Sequence, residues 1–187
     1  CYDQASCGCC LMQRQMNRTE TYFNKSVEGM HRLLSESKKK LTDMRSRSAF
    51  SVALNNDSAL TCFGPFNEDR LIVYKHVFLN LGGGYMVSTG VFTAPLSGVY
   101  SFALTIYGKA PNNNTLAVCA SLRVNGTVVT GPTEKGMYDR EDSATTVVAV
   151  KLKAGDEVDV VLPAGCFVCD NSSHFNTFTG FLLYATD

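Results

Sequence analysis

The hydrophobic pattern of this chain changes period at Ser48, and that switch limits the fold more than any other feature. From about residue 12 to 45 apolar side chains recur at helical spacing without a proline. In one seven-residue register Val27, Leu34 and Leu41 take the a positions, and Met16, Phe23, Met30, Ser37 and Met44 the d positions. A 3.5-residue seam of this kind lets helices pack side by side with knobs in holes. Gln13 and Glu20 at earlier a positions, Ser37 at d and Gly29 beside the seam weaken it, so a short, imperfect coiled coil is expected. The competing arrangement is one amphipathic helix laid against a globular domain. Lys38–Lys40 reads as a solvated helix face.

Beyond Ser48, short β-branched and aromatic runs alternate with Gly, Pro, Asn and Asp turns. The runs include Ala49–Leu54, Leu71–Tyr74, Val77–Leu81, Gly98–Tyr107, Leu116–Val124, Thr145–Leu152, Glu157–Leu162 and Phe178–Tyr184. Asn125-Gly126 is a hairpin signal and Ala154-Gly155-Asp156 a second turn. About ten strands with no helix-length segment among them predict an all-β, ten-stranded jelly-roll sandwich. The expected division is a cysteine-bearing head over 1–11, a coiled-coil helix over 12–47 and a globular β domain over 48–187. That last segment is long enough for one packed core.

Eight cysteines and six Asn-x-Ser/Thr triplets place the chain on the secretory route. The acceptor asparagines are Asn17, Asn24, Asn56, Asn113, Asn125 and Asn171, none followed by proline. The chain opens at Cys1, and a leader removed before that residue is expected. No apolar run approaches the roughly twenty residues that cross a bilayer, so membrane insertion is not expected. Residues 1–48 hold nine basic against five acidic side chains, and 49–187 eight against twelve. The formal charge is therefore +4 and −4, neither of which suits a nucleic-acid binder.

Cys7, Cys9 and Cys10 are too close in sequence to pair with one another readily, so interchain bridges between neighbouring helices are expected. A zinc knuckle is the alternative, but a second Cys/His cluster at suitable spacing is missing. Cys166-x-x-Cys169 would mean redox or metal work in the cytosol. In a secreted β domain, structural pairing with Cys62 and Cys119 is expected, and the three possible connectivities stay open.

The stretch Tyr74, Asn80, Tyr85, Phe92, Gly98, Tyr100, Phe102 and Leu104 resembles the signature of the C1q globular-head family. Tyr74 replaces the usual Phe, and Leu104 the usual Phe or Tyr; both stay large and apolar. Ala49–Ala53, Thr89–Pro95, Gly155–Val158 and the closing Thr177–Tyr184 extend the resemblance over about residues 48–187. It implies compact homotrimers of ten-stranded jelly rolls. With no collagen repeat and a short coil behind cysteines, the chain is similar to the cerebellin type, in which N-terminal disulfides join trimers. Its Cys-Gly-Cys-Cys spacing departs from that type, leaving assembly size open. On physical grounds Tyr100, Phe102 and Leu104 share one strand face, and Phe178 and Gly180 share another where a missing side chain admits a neighbour.

A hydrolytic triad needs a histidine near a nucleophile, and only His31, His76 and His174 exist, with no nucleophile elbow or zinc-binding pair. Gly82-Gly83-Gly84 lacks the lysine and helix of a phosphate loop. Enzymatic activity is not expected. Carboxylates gather in Tyr138–Ala144, where oxygen ligands in a loop suit calcium. The family resemblance implies calcium near the trimer axis, with Asp139 and Asp142 as the positional matches; a solvated acidic turn is the alternative. The expected function is a secreted, multivalent protein binding a cell-surface receptor through trimers or larger assemblies. A glycan-binding lectin of innate immunity is the alternative, although an acidic head does not favour anionic polysaccharides.

Overall fold

The computed structural model describes residues 7–45, 47–110, 117–134 and 140–186. The chain separates into two compact units, Cys1–Met44 and Arg45–Asp187. The first contains one α-helix, α1, over Cys7–Arg45. It begins inside the segment expected to be a separate head, and no proline interrupts it there. Exposed apolar side chains run along it, among them Met12, Met16, Phe23, Met30, Leu34 and Leu41. Helix propensity alone does not leave so many large apolar groups in water; tertiary or quaternary packing normally covers them.

The second unit is the expected all-β sandwich of jelly-roll type. Five strands form the first sheet, in the order β12 (Glu141–Leu152), β7 (Gly98–Lys109), β15 (Thr177–Ala185), β1 (Ala49–Ala53) and β4 (His76–Leu81). The second runs β10 (Thr127–Thr130), β9 (Ser121–Val124), β13 (Glu157–Leu162), β6 (Val91–Thr93), β5 (Tyr85–Met86), with β3 (Arg70–Leu71) also on β13. A smaller sheet joins β11 (Thr133–Glu134), β8 (Ala117–Cys119), β14 (Cys166–Asp170) and β2 (Thr61–Phe63). Among the described residues there are fifteen strands where ten were expected, six of them only two or three residues long. Of the run Leu71–Tyr74, for example, only Leu71 enters a ladder, although Ile72 and Tyr74 are fully buried.

Between the sheets lies an aromatic core. Side chains alternate inward and outward along β7, burying Tyr100, Phe102, Leu104 and Ile106. Phe50 stacks on Phe92 at 4.9 Å and meets Phe178 edge-on at 4.8 Å. Gly180 makes room for this cluster: a Cβ there would fall 2.5 Å from Phe50 and 2.6 Å from Phe102. The close approach foreseen at Gly180 is thus to the neighbouring rings.

Two disulfides fasten the small sheet. Cys62 on β2 pairs with Cys169 on β14, and Cys119 on β8 with Cys166 on β14. All five residues of β14 are buried, so it shows no alternation, and the sequence pattern gave no sign of this strand.

Candidate assembly face and loop sites

Strand register makes the outward face of the first sheet explicit. One row reads Ala149, Ser101, Phe181, Ala49, Leu81 across β12, β7, β15, β1 and β4. The next reads Val147, Ala103, Thr179, Ser51, Leu79. None of these ten side chains is charged. Val147 is 67% exposed, Leu81 50%, Phe181 42% and Leu79 40%.

Two pairs of hydroxyl groups on this face satisfy each other: Ser51 and Thr179 oxygens lie 3.0 Å apart, as do those of Thr105 and Thr145. These four hydroxyls can lose water without being orphaned, because their hydrogen bonds run sideways within the sheet. Charge returns at the borders. Lys151, the last residue but one of β12, stands on one side, and Lys109 pairs with Glu141 on the other. Lys109, helped by the Tyr107 hydroxyl, holds the Glu141 carboxyl below the usual carboxylate range.

At the far end of the same sheet a bulge between Ser51 and Val52 leaves Phe78 as an extra residue on β4. The rings of His76 and His174 stack 4.3 Å apart, and Phe78 meets each edge-on at 4.8 and 5.0 Å. His174 adopts a left-handed backbone, φ 55°, and its Nδ1 lies 3.0 Å from the Asn55 carbonyl oxygen. Phe175 packs on Tyr107 at 4.6 Å. These imidazoles therefore engage rings and, for His174, a backbone carbonyl. His31 is exposed on α1.

Beneath this loop Asp170 is fully buried. Its Oδ1 accepts the backbone N–H groups of Asn171 and Phe175 at 3.0 and 2.8 Å, while Oδ2 has no hydrogen-bond partner among the described residues. Burial pushes its carboxyl above the usual range despite those two donors. Burial likewise raises the Tyr74 phenol, and lifts that of Tyr85 to about 12. Beside the loop, Asn55, Asp57, Thr61 and Lys75 line a cleft of about 370 Å³ floored by Phe63 and Val73.

The acceptor asparagines fall in different surroundings. Asn17, Asn24 and Asn56 are exposed. Asn125 sits in the β9–β10 turn at φ 49°, where its Nδ2 donates to Asp156 at 3.0 Å and its Oδ1 accepts the Glu157 N–H at 2.9 Å. Asn171 accepts the Ser173 N–H at 2.8 Å. Asn113 and Asp139 lie outside the described residues, as do the side chains of Cys7, Cys9 and Cys10. Asp142 stands on β12 opposite Gly108. Among the described residues, no group of three or more His, Cys, Asp or Glu side chains gathers to hold a metal. Nor is any described helix long and apolar enough to cross a membrane.

Sequence reasoning missed the charge-free face and the histidine stack. The first left a trace in the run Thr145-Thr146-Val147-Val148-Ala149, which is uncharged on both faces. The second joins residues nearly a hundred positions apart and left none.

Comparison with known proteins bears on this arrangement. The sequence profile of the C1q domain matches residues 49–183. Human complement C1q tumor necrosis factor-related protein 3 is 32% identical over 120 residues, covering 64% of this chain and 47% of that protein. Mouse complement C1q and tumor necrosis factor-related protein 9 is 32% identical over 145 residues, covering 75% and 40%. The chain thus spans about half the length, or less, of these relatives. In structure, the globular domain of zebrafish complement 1qA superposes with a TM-score of 0.55 at 19% identity, over 74% of this chain and 99% of that one. Murine APRIL superposes with a TM-score of 0.56 at 13% identity, over 73% and 99%.

Proposed function

The chain belongs to the C1q domain family, and from that premise we propose that it is a secreted, non-catalytic binding protein that works as a trimer. The charge-free face of the first sheet carries this reading. It leaves Val147, Phe181, Leu79 and Leu81 in water on a single subunit, with the Ser51–Thr179 and Thr105–Thr145 hydroxyls already paired, which suits burial against copies of the same domain. The apolar stripe of α1 points the same way, since helices brought together in parallel would cover it. Three heads and their coils then present each ligand-binding loop three times. Weak single contacts with a cell-surface receptor add up to strong attachment. Secretion is supported by six glycan acceptors and by two disulfides in the β domain.

Val147→Asp tests this reading. The side chain faces solvent in the subunit, so the fold tolerates the change and circular dichroism stays the same. With Cys7, Cys9 and Cys10 changed to serine in both proteins, so that no interchain bridge holds the chains together, light scattering coupled to size exclusion is expected to give three chains without the Val147→Asp change and one with it. Binding to receptor-bearing cells is expected to drop on the order of a hundredfold as the heads separate. A single-chain native particle, or a variant of unchanged mass, overturns the proposal.

A further inference from the structure

Asn17 and Asn24 each open an acceptor triplet, completed by Thr19 and Ser26, and stand seven residues apart on one continuous helix. Seven residues are close to two turns, so both asparagines face the same way, about 10.5 Å apart along the axis. Each follows a d residue directly, Met16 and Phe23, and so occupies an e position on one flank of the seam. The opposite, g flank holds Met12, Thr19, Ser26, Leu33 and Lys40, and no acceptor asparagine. Structure separates the two flanks: Met12, Met16 and Phe23 share one concavity, whereas Asn17 lines another with Arg14, Arg18 and Tyr22.

In the folded helix the Thr19 hydroxyl donates to the Gln15 carbonyl at 2.9 Å, and that of Ser26 to the Tyr22 carbonyl at 2.9 Å. These hydroxyls are turned along the helix, so a glycan at either asparagine would have to be added to the nascent chain, before the helix forms.

We propose that Asn17 and Asn24 carry N-linked, N-acetylglucosamine-based glycans that close the e flank of α1 and hold the coil to three strands. In a coil of few strands the a and d side chains fill the seam, and the e flank stays at the rim. Adding strands draws the e and g flanks into the interface, where a bulky hydrated sugar cannot be buried. Further copies of this chain can then approach only through the g, a and d side. The inference rests on the self-assembly proposed above.

The test uses the full chain from a glycosylating host. Peptide mass spectrometry reads occupancy at both asparagines, and light scattering reads the polypeptide mass of each particle. Asn17→Gln/Asn24→Gln and Thr19→Ala/Ser26→Ala both abolish the triplets, and the second pair keeps the asparagines. With native sites occupied and three chains per particle, both variants are expected to gain at least a third in mass. Asn56→Gln, which strips a glycan from the β domain, is expected to change nothing. Unoccupied native sites, or variants that remain three-chain particles, overturn the inference alone. A single-chain native particle overturns the assembly reading and this inference with it.

Discussion

The side-chain amide of Asn80 brackets the backbone of Tyr85: its Nδ2 donates to the Tyr85 carbonyl at 2.9 Å, and its Oδ1 accepts the Tyr85 N–H at 3.2 Å. One side chain thereby stands in for a strand partner across the Gly82–Gly84 turn. Tyr85 passes the order inward, since its hydroxyl donates to the Tyr74 carbonyl at 3.0 Å and accepts the Tyr74 N–H at 3.1 Å. Asn80→Ala leaves a donor and an acceptor of Tyr85 unmatched and is expected to cost about 1–3 kcal/mol in urea unfolding. Asn80→Asp, which keeps the acceptor alone, should fall between the variant and the native protein. Equal midpoints for all three would refute the bracket as a stabilising element.

Gly180 is the second position where a small change has a large effect. Gly180→Ala would drive a methyl group to 2.5 Å from Phe50 and 2.6 Å from Phe102, both inside the aromatic core. Neither ring can withdraw, because Phe50 is packed by Tyr85, Phe92 and Phe178. Overpacking of this kind costs about 1–3 kcal/mol. Thermal unfolding should show a lower midpoint, and near-ultraviolet circular dichroism should show altered aromatic packing.

The two disulfides should differ in worth. Cys62–Cys169 spans 107 residues and Cys119–Cys166 spans 47. Each is expected to contribute about 2–5 kcal/mol. Loop closure alone favours the longer bridge by about 0.7 kcal/mol. Paired Cys→Ser variants compared in urea should lose more stability at Cys62/Cys169, and the reverse order would show that native-state packing outweighs chain entropy.

Asp170 gives the β domain a definite pH dependence. Its carboxyl lies above the ordinary range because burial penalises the charge. The folded state therefore holds that proton more tightly than the unfolded chain does. This group's contribution is most favourable at acid pH and declines as the pH rises from the ordinary carboxylate range through the raised value. Asp170→Asn keeps an oxygen for the Asn171 and Phe175 N–H groups and removes the buried charge. Melting curves against pH should show the variant gaining on the native protein toward neutrality. A variant that loses ground as the pH rises would contradict the assignment.

Read alone, the sequence determined the split between helix and sheet at Ser48, because the period of apolar residues is a property of neighbours along the chain. It determined the alternation of Tyr100, Phe102 and Leu104 for the same reason, and it carried the motif that marks the C1q domain. Only the tertiary structure decided that Cys62 meets Cys169 and Cys119 meets Cys166, and that Cys166–Asp170 is a strand buried at every position. Strand pairing likewise lines up Val147, Ala103, Thr179, Ser51 and Leu79 into one charge-free row, and folding stacks His76 on His174. These relationships join residues tens to more than a hundred positions apart. Periodicity carries no information at such separations, and only the register of the paired strands creates them.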